Sequence, residues 1–202
     1  MTGYKIINLN LLQETIGESE TSDILSSFSC PQNVDVERFL RSTAIPFAKQ
    51  GISQTHLVFA SFQEKPILVG YFTLANKYIH VASKILSSTQ RKRISKFATF
   101  NPDMKCYCMT APLIAQLGKN FTNGYNKLIT GDELLQIACD KIKKIQLDIG
   151  GKFAYLECED TPRLTEFYQR NGFYNFGKRQ LDRDEYADYD SRSLVQLMKY
   201  LK

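Results

Sequence analysis

Between Cys106 and Gly177 the chain alternates in a way few folds accommodate. A strand-like run, "CYCMTAPLIAQLGKNF", leads through the polar loop "TNGYNKLITGD" into the helical pattern "ELLQIACDKIKKIQLDIGG". A second apolar run, "KFAYLECE", is followed by the short helical segment "TPRLTEFYQRNG". This strand–helix–strand–helix centre is flanked by further strand-like runs on either side. The order implies an α/β (α+β) fold with a mixed, mostly antiparallel sheet flanked by helices.

The flanking segments agree. "THLVFASFQEKPILVGYFTLANKYIHV" holds two β-rich runs around the turn "QEKP", a hairpin signal. Upstream, Val36, Phe39, Leu40, Ile45 and Phe47 have helical spacing, with Pro46 predicted to break or kink the helix. "SSTQRKRISKFATF" reads as a short basic helix carrying Arg91, Lys92, Arg93 and Lys96, and Pro112 argues for an edge or bulged strand start. In the long helix, Leu134, Leu135, Ile137, Ala138, Ile142, Ile145 and Leu147 form the apolar face, closed by Gly150-Gly151. Thr161 is expected as an N-cap, Pro162 as the first helical residue and Gly172 as a left-handed C-cap. "FYNFGKRQL" and "SLVQLMKYL" are two more strands, separated by the acidic loop from Asp182 to Asp190.

Composition narrows the class. The 202 residues are 43% hydrophobic and 23% charged, with no repeat or linker, so residues 1–202 are expected to form one domain. The net charge of +5 suits an anionic ligand without requiring nucleic acid. Five scattered cysteines, with only the C-x-C at Cys106 and Cys108 closely spaced, point to reduced thiols and to no metal site. The start shows no basic-then-apolar signal pattern, and no apolar run nears the ~20 residues of a membrane span. A cytoplasmic location is expected.

Two places invite chemistry. The loop before "ELLQIACDKI" ends at a helix N-terminus, where unpaired amides and the helix dipole favour phosphate, with Lys119 and Lys127 at hand. Tyr168 shares a helix face with Leu164 and Phe167, and by its spacing is either a core aromatic or a functional phenol. Glu157 and Glu159, alternating with Cys158, are solvated strand-end acids or a proton relay. The lone His56 and His80 receive no role.

In their order, "FAYLECEDTPRLTEFYQRNGF", "ITGDELLQIACDKI" and the hairpin "HLVFASFQEKPILVGYFTL" resemble the GNAT N-acetyltransferase superfamily from about Asn33 to Leu201. In that family the phosphate loop reads Arg or Gln, two residues, Gly, one residue, then Gly or Ala. Here Asn126 stands at the Arg/Gln position, Ile129 at the first Gly and Gly131 at the second, and the loop is about two residues longer. The resemblance implies acetyl-CoA as co-substrate and no metal. Its pyrophosphate would rest on the amides of Ile129, Thr130, Gly131 and Asp132 beside Lys127, and its pantetheine along Leu117, Gly118 and Lys119. An amine-bearing acceptor would attack the thioester, with Tyr168 as general acid for the departing thiolate. The layout also resembles the toxin branch of the family, which acetylates aminoacyl-tRNA. That branch implies tRNA and an antitoxin protein as partners and is compatible with a homodimer. A CoA- or nucleic-acid-binding module without turnover is the alternative.

Overall fold

Gln63 and Glu64 turn the chain with left-handed φ of 50° and 64°, the conformation a two-residue hairpin turn demands at both positions. In the computed structural model, which describes residues 3–181 and 193–202, they join β2 (Gln54–Phe62) to β3 (Lys65–Ala82). The two strands pair antiparallel from Phe62↔Lys65 to Gln54↔Leu74, with a bulge between Val58 and Phe59. The middle of β2, from Thr55 to Ala60, is buried on both faces, and the hydroxyls of Thr55 and Thr73 satisfy each other at 2.8 Å.

The strands hydrogen-bond in the order β1 (Lys5–Asn8), β2, β3, β5 (Cys106–Lys119), β6 (Phe153–Glu159), β8 (Ser193–Tyr200), β7 (Tyr174–Gln180), with β4 (Thr99–Asn101) on β5. The sheet is mixed and mostly antiparallel. β5 runs parallel to β6 (Phe153–Glu159), in a register fixed at Leu113↔Tyr155. Pro112 therefore stands within a strand that has neighbours on both sides, and the expectation of an edge or strand start is corrected. Among the described residues, chain contacts form two compact units. One takes the chain to Ala75 together with Ile114–Ala138, the other Asn76–Leu113 together with the chain from Cys139.

The first unit contains elements the sequence reading did not anticipate: β1 (Lys5–Asn8), α1 (Leu9–Ile16) and α2 (Glu18–Ser26). β1 pairs antiparallel with β2, Lys5 opposite Phe59 and Asn8 opposite His56. Asn8 then caps α1, its Oδ1 accepting from the amides of Asn10 and Leu11 at 2.9 and 3.4 Å. The helical segment around Pro46 splits into α3 (Val34–Arg38), a π turn over Phe39–Thr43 and α4 (Ala44–Lys49). The irregularity lies ahead of Pro46 because its ring would crowd the carbonyl four residues back, inside that widened turn. Leu9, Leu25, Phe28, Leu40, Leu57 and Tyr71 are fully enclosed here, each burial being worth roughly 1.5–3 kcal/mol. Tyr71 meets the Phe28 ring edge-on at 5.2 Å and donates its hydroxyl to the Val36 carbonyl at 2.6 Å.

In the second unit β8 (Ser193–Tyr200) lies between β6 and β7 (Tyr174–Gln180), antiparallel to both. The basic segment is α5 (Ser88–Ile94), opened by a reciprocal Ser87–Gln90 capping box. Its Ile94 anchors it among Ile79, Val81, Leu86 and Phe153. α6 (Gly131–Ile149) is the long helix, its residues to Ala138 belonging to the first unit and the rest to the second, and α7 (Pro162–Arg170) is the short one. On α6 the apolar face holds from Leu134 to Ile142, but Leu147 is 83% exposed. Gln146 takes the inward position instead, donating Nε2 to the Phe153 carbonyl at 2.9 Å. The acidic stretch from Asp182 to Asp190 lies outside the described residues.

Candidate functional site

In the first unit the phosphate-loop candidate is built from the end of β5 upward. Asn120, 1% exposed, organises it. Its Oδ1 accepts from the amides of Ser29 (3.0 Å) and Thr122 (3.1 Å), and its Nδ2 donates to the Leu68 carbonyl (2.9 Å). The chain then makes a kinked 3₁₀ stretch, Thr122–Lys127, in which Asn123 and Gly124 take positive φ. Lys119 spans the loop: its Nζ donates to the carbonyls of Asn126 (3.0 Å) and Ile129 (3.2 Å). With these two bonds it braces the loop from within. Lys127 is exposed.

Ile129 stands where the family pattern has glycine, and it is 2% exposed. Its φ is negative, so the backbone here makes no demand for glycine, and the side chain is spent on the core. Thr130 caps α6. Glu133 accepts from the Thr130 amide and hydroxyl, both at 2.8 Å, and Thr130 Oγ1 accepts from the Glu133 amide at 3.1 Å. The Thr130 amide hydrogen bond, then its hydroxyl, hold the Glu133 carboxyl below the usual range, so it is ionised. A phosphate on the first-turn amides of α6 would share that turn with this carboxylate. Tyr4 closes the loop, donating its hydroxyl to the Leu128 carbonyl at 3.0 Å. Burial, followed by the Glu133 charge, pushes its phenol up.

Along β5, Leu117 and Lys119 are half-buried and Gly118 is buried. A Cβ on Gly118 would come within 2.4 Å of Val36 Cγ1, so this glycine exists for the α3 packing.

In the second unit α7 presents Tyr168. Thr161 is the N-cap and Pro162 opens the helix, as expected, although the Thr161 side chain makes no cap hydrogen bond. Its carbonyl accepts from the Thr165 amide and hydroxyl, both at 3.0 Å. Gly172 closes the helix at φ 82°, as expected, and the Phe173 amide bonds the Tyr168 carbonyl at 3.0 Å. The Tyr168 ring lies against Phe167 and Phe173, with centroids 4.9 and 6.0 Å away. It is half-buried, and among the described residues its hydroxyl has no hydrogen-bond partner. Burial, with the nearby Cys158 thiol, pushes the phenol well above its ordinary range, so it keeps its proton at neutral pH.

Glu157 is neither solvated nor a free relay. Arg179 grips it from Nε (2.9 and 3.0 Å) and Nη2 (2.9 Å). Tyr155 donates its hydroxyl to the same carboxylate, and Gln196 donates to the Tyr155 oxygen at 2.8 Å. On α5, Arg91, Lys92 and Arg93 are exposed, as is Lys96 in the turn that follows, and the Arg93 guanidinium lies 5.2 Å from the centre of the Tyr200 ring.

Sequence reasoning named Asn126, Lys127, Ile129, Thr130, Gly131 and Asp132, which do form one loop and helix start. It missed Tyr4, Asn120, Glu133 and Arg179. The Thr-x-x-Glu spacing of Thr130 and Glu133 is a readable capping signal. Tyr4 and Arg179 find their partners far away in the chain, and Asn120, besides the nearby Thr122 amide, takes its other partners from Ser29 and Leu68. Among the described residues no cluster of three metal-ligating side chains forms, and no helix is long and apolar enough to cross a membrane.

No family model matches the sequence, and no curated protein matches it. Solved structures do match in fold. A bacterial toxin superposes with a TM-score of 0.64 at 14% identity, covering 100% of this chain and 92% of the toxin. AtaT complexed with acetyl-methionyl-tRNAfMet gives 0.62 at 14% identity, covering 96% and 94%. A Tyr-to-Phe mutant of the AtaT toxin, bound to the C-terminus of the antitoxin AtaR and acetyl-CoA, gives 0.56 at 14%, covering 96% and 91%. The likeness is one of fold: the chain has the GNAT-like architecture of these toxins.

Proposed function

We propose that this protein is an acetyl-CoA-dependent N-acetyltransferase of the toxin type. The observation that carries the reading is the likeness of its fold, over nearly the whole chain, to AtaT, solved with acetyl-methionyl-tRNAfMet and, as a mutant, with acetyl-CoA. The first unit supplies residues that fit a pyrophosphate: the start of a 19-residue helix, the exposed Lys127, and a loop whose backbone tolerates Ile129. Ile129, Thr130, Gly131, Asp132 and Lys127 would hold the phosphates, and the β5 backbone from Leu117 to Lys119 the pantetheine. Bound there, acetyl-CoA supplies an activated thioester.

Tyr168 is the proton donor in this reading. A phenol that is half-buried, protonated and, among the described residues, without a hydrogen-bond partner is suited to deliver a proton to a departing thiolate. Lys119 and Tyr4 keep the loop in its shape, and Asn120 fixes the turn out of β5. The acceptor is an amine, and the exposed basic face of α5 favours the amino group of an aminoacyl-tRNA, whose phosphates it would attract. An antitoxin partner belongs to the same proposal.

The test compares wild type and Tyr168→Phe for acetyl transfer to aminoacyl-tRNA and to free amines. The expected result is a loss of about 100-fold in kcat for the variant, in line with a general acid's usual share. Its melting temperature should stay within about 1 °C, because among the described residues the hydroxyl has no hydrogen-bond partner to lose. The wild-type profile should show no falling limb from this phenol between about pH 7 and about pH 10. Unchanged kcat in the variant overturns the role of Tyr168, and absent turnover with intact acetyl-CoA binding favours a module without catalysis.

A further inference from the structure

Cys106 and Cys108 bring their sulfurs to 3.6 Å, close to van der Waals contact, on one stretch of β5. No other thiol pair among the described residues is in contact. Cys30, Cys139 and Cys158 are buried singly, and burial pushes Cys139 up to about 11 and Cys158 up to about 12. The two neighbours differ in access: Cys106 is 4% exposed, whereas Cys108 is half-buried. Tyr78, on the adjacent strand β3, is 61% exposed. One reachable sulfur backed by one sheltered sulfur is the arrangement of an attacking and a resolving thiol.

From this pairing we infer that Cys106 and Cys108 form a reversible dithiol–disulfide modification site for a peroxide-class oxidant. The inference stands on the second unit alone and does not depend on the acetyl-transfer reading. The Cys108 thiolate attacks a peroxide oxygen, the O–O bond breaks, and Cys108 becomes a sulfenic acid while one water leaves. The Cys106 sulfur then attacks the Cys108 sulfur, the S–O bond breaks and a second water leaves. Two thiols have lost two electrons, and one peroxide has become two waters.

Strand geometry makes the product short-lived. Residues two apart in a strand have Cα atoms about 6.7 Å apart, at the upper end of the range disulfides span. Closing the bond must draw β5 together between two rungs of its ladder, Asn101↔Cys106 and Thr99↔Cys108. A strained bond of this kind is readily reduced by free thiols, which marks a transient modification instead of a structural crosslink.

The experiment is peptide mapping of the whole protein after a brief hydrogen peroxide pulse and alkylation of free thiols. Trypsin releases Cys106 to Lys119 as one peptide, since Lys105 precedes it and no Lys or Arg interrupts it. The expected result is the loss of two hydrogens on that peptide and no alkylation of either cysteine, reversed by millimolar glutathione. Oxygen added at Met109 is separable by its mass. Cys106→Ser should leave Cys108 trapped as a sulfenic acid that dimedone captures, and Cys158→Ser should leave the disulfide intact. Cys108 progressing to sulfinic acid in the wild type, crosslinking of either cysteine elsewhere, or two unmodified thiols would each overturn the assignment. The wild-type map decides the matter even if a variant fails to fold.

Discussion

Glu133→Gln separates two roles that coincide at the start of α6. The carboxylate caps the helix through Thr130, and it also places a negative charge on the turn proposed to hold pyrophosphate. Glutamine keeps the capping geometry and removes the charge. An anion on that turn would sit roughly 6 Å from the carboxylate, and at the dielectric of a solvated surface the repulsion is about 0.7 kcal/mol. Relieving it should tighten acetyl-CoA binding about three-fold. The apo protein should move the other way. Losing a carboxylate at a helix N-terminus costs about 0.3–1 kcal/mol, or roughly 1–3 °C of melting temperature at this chain length. Calorimetric titration at low and high salt reads the first effect, which should fade as salt screens it, and a thermal melt reads the second. A variant that melts lower yet binds acetyl-CoA no more tightly would refute the placement of phosphate on this turn.

Two further substitutions probe the frame around the site. Gly118→Ala drives a Cβ against Val36, a short buried side chain with little freedom, and should cost about 1–3 kcal/mol; adding Val36→Ala should return part of it, read by denaturant titration. Arg179→Met strands Glu157, whose side chain is only 12% exposed, and should cost about 2–3 kcal/mol, below the full buried-pair value because Arg179 is 23% exposed. Glu157→Gln in that background should recover at least half, and failure to recover would mean the pair acts through packing alone.

What was legible in the sequence follows the range of the interactions. The β2–β3 hairpin, the α6 face through Ile142 and the Pro162-to-Gly172 limits of α7 are all set by neighbours in the chain. β1 is four residues long, and its pattern means little until β2, about fifty residues on, gives it a ladder. Leu147 was assigned inward by periodicity, but the last turns of α6 face the β6 start, where a hydrogen-bonding Gln146 is needed. At the candidate site the loop residues come from counting, whereas the setting of Lys119 does not, because charge alone does not tell which oxygen an ammonium meets. Its partners are two carbonyls of its own loop. Glu157 went the same way: only the fold brings Arg179 across from β7.

The Tyr4–Leu128 hydrogen bond joins residues 124 positions apart. Ribosomes add about 5–20 residues per second, so roughly 6–25 s separate the synthesis of its two ends. During that interval β1 has no loop to brace, and the α6 entrance has not been made. The proposed donor site is therefore assembled late, after most of the chain has emerged, and a nascent chain interrupted before α6 would carry the N-terminal helices without any means of holding acetyl-CoA. For a protein of the proposed type, activity would begin only with a nearly finished molecule.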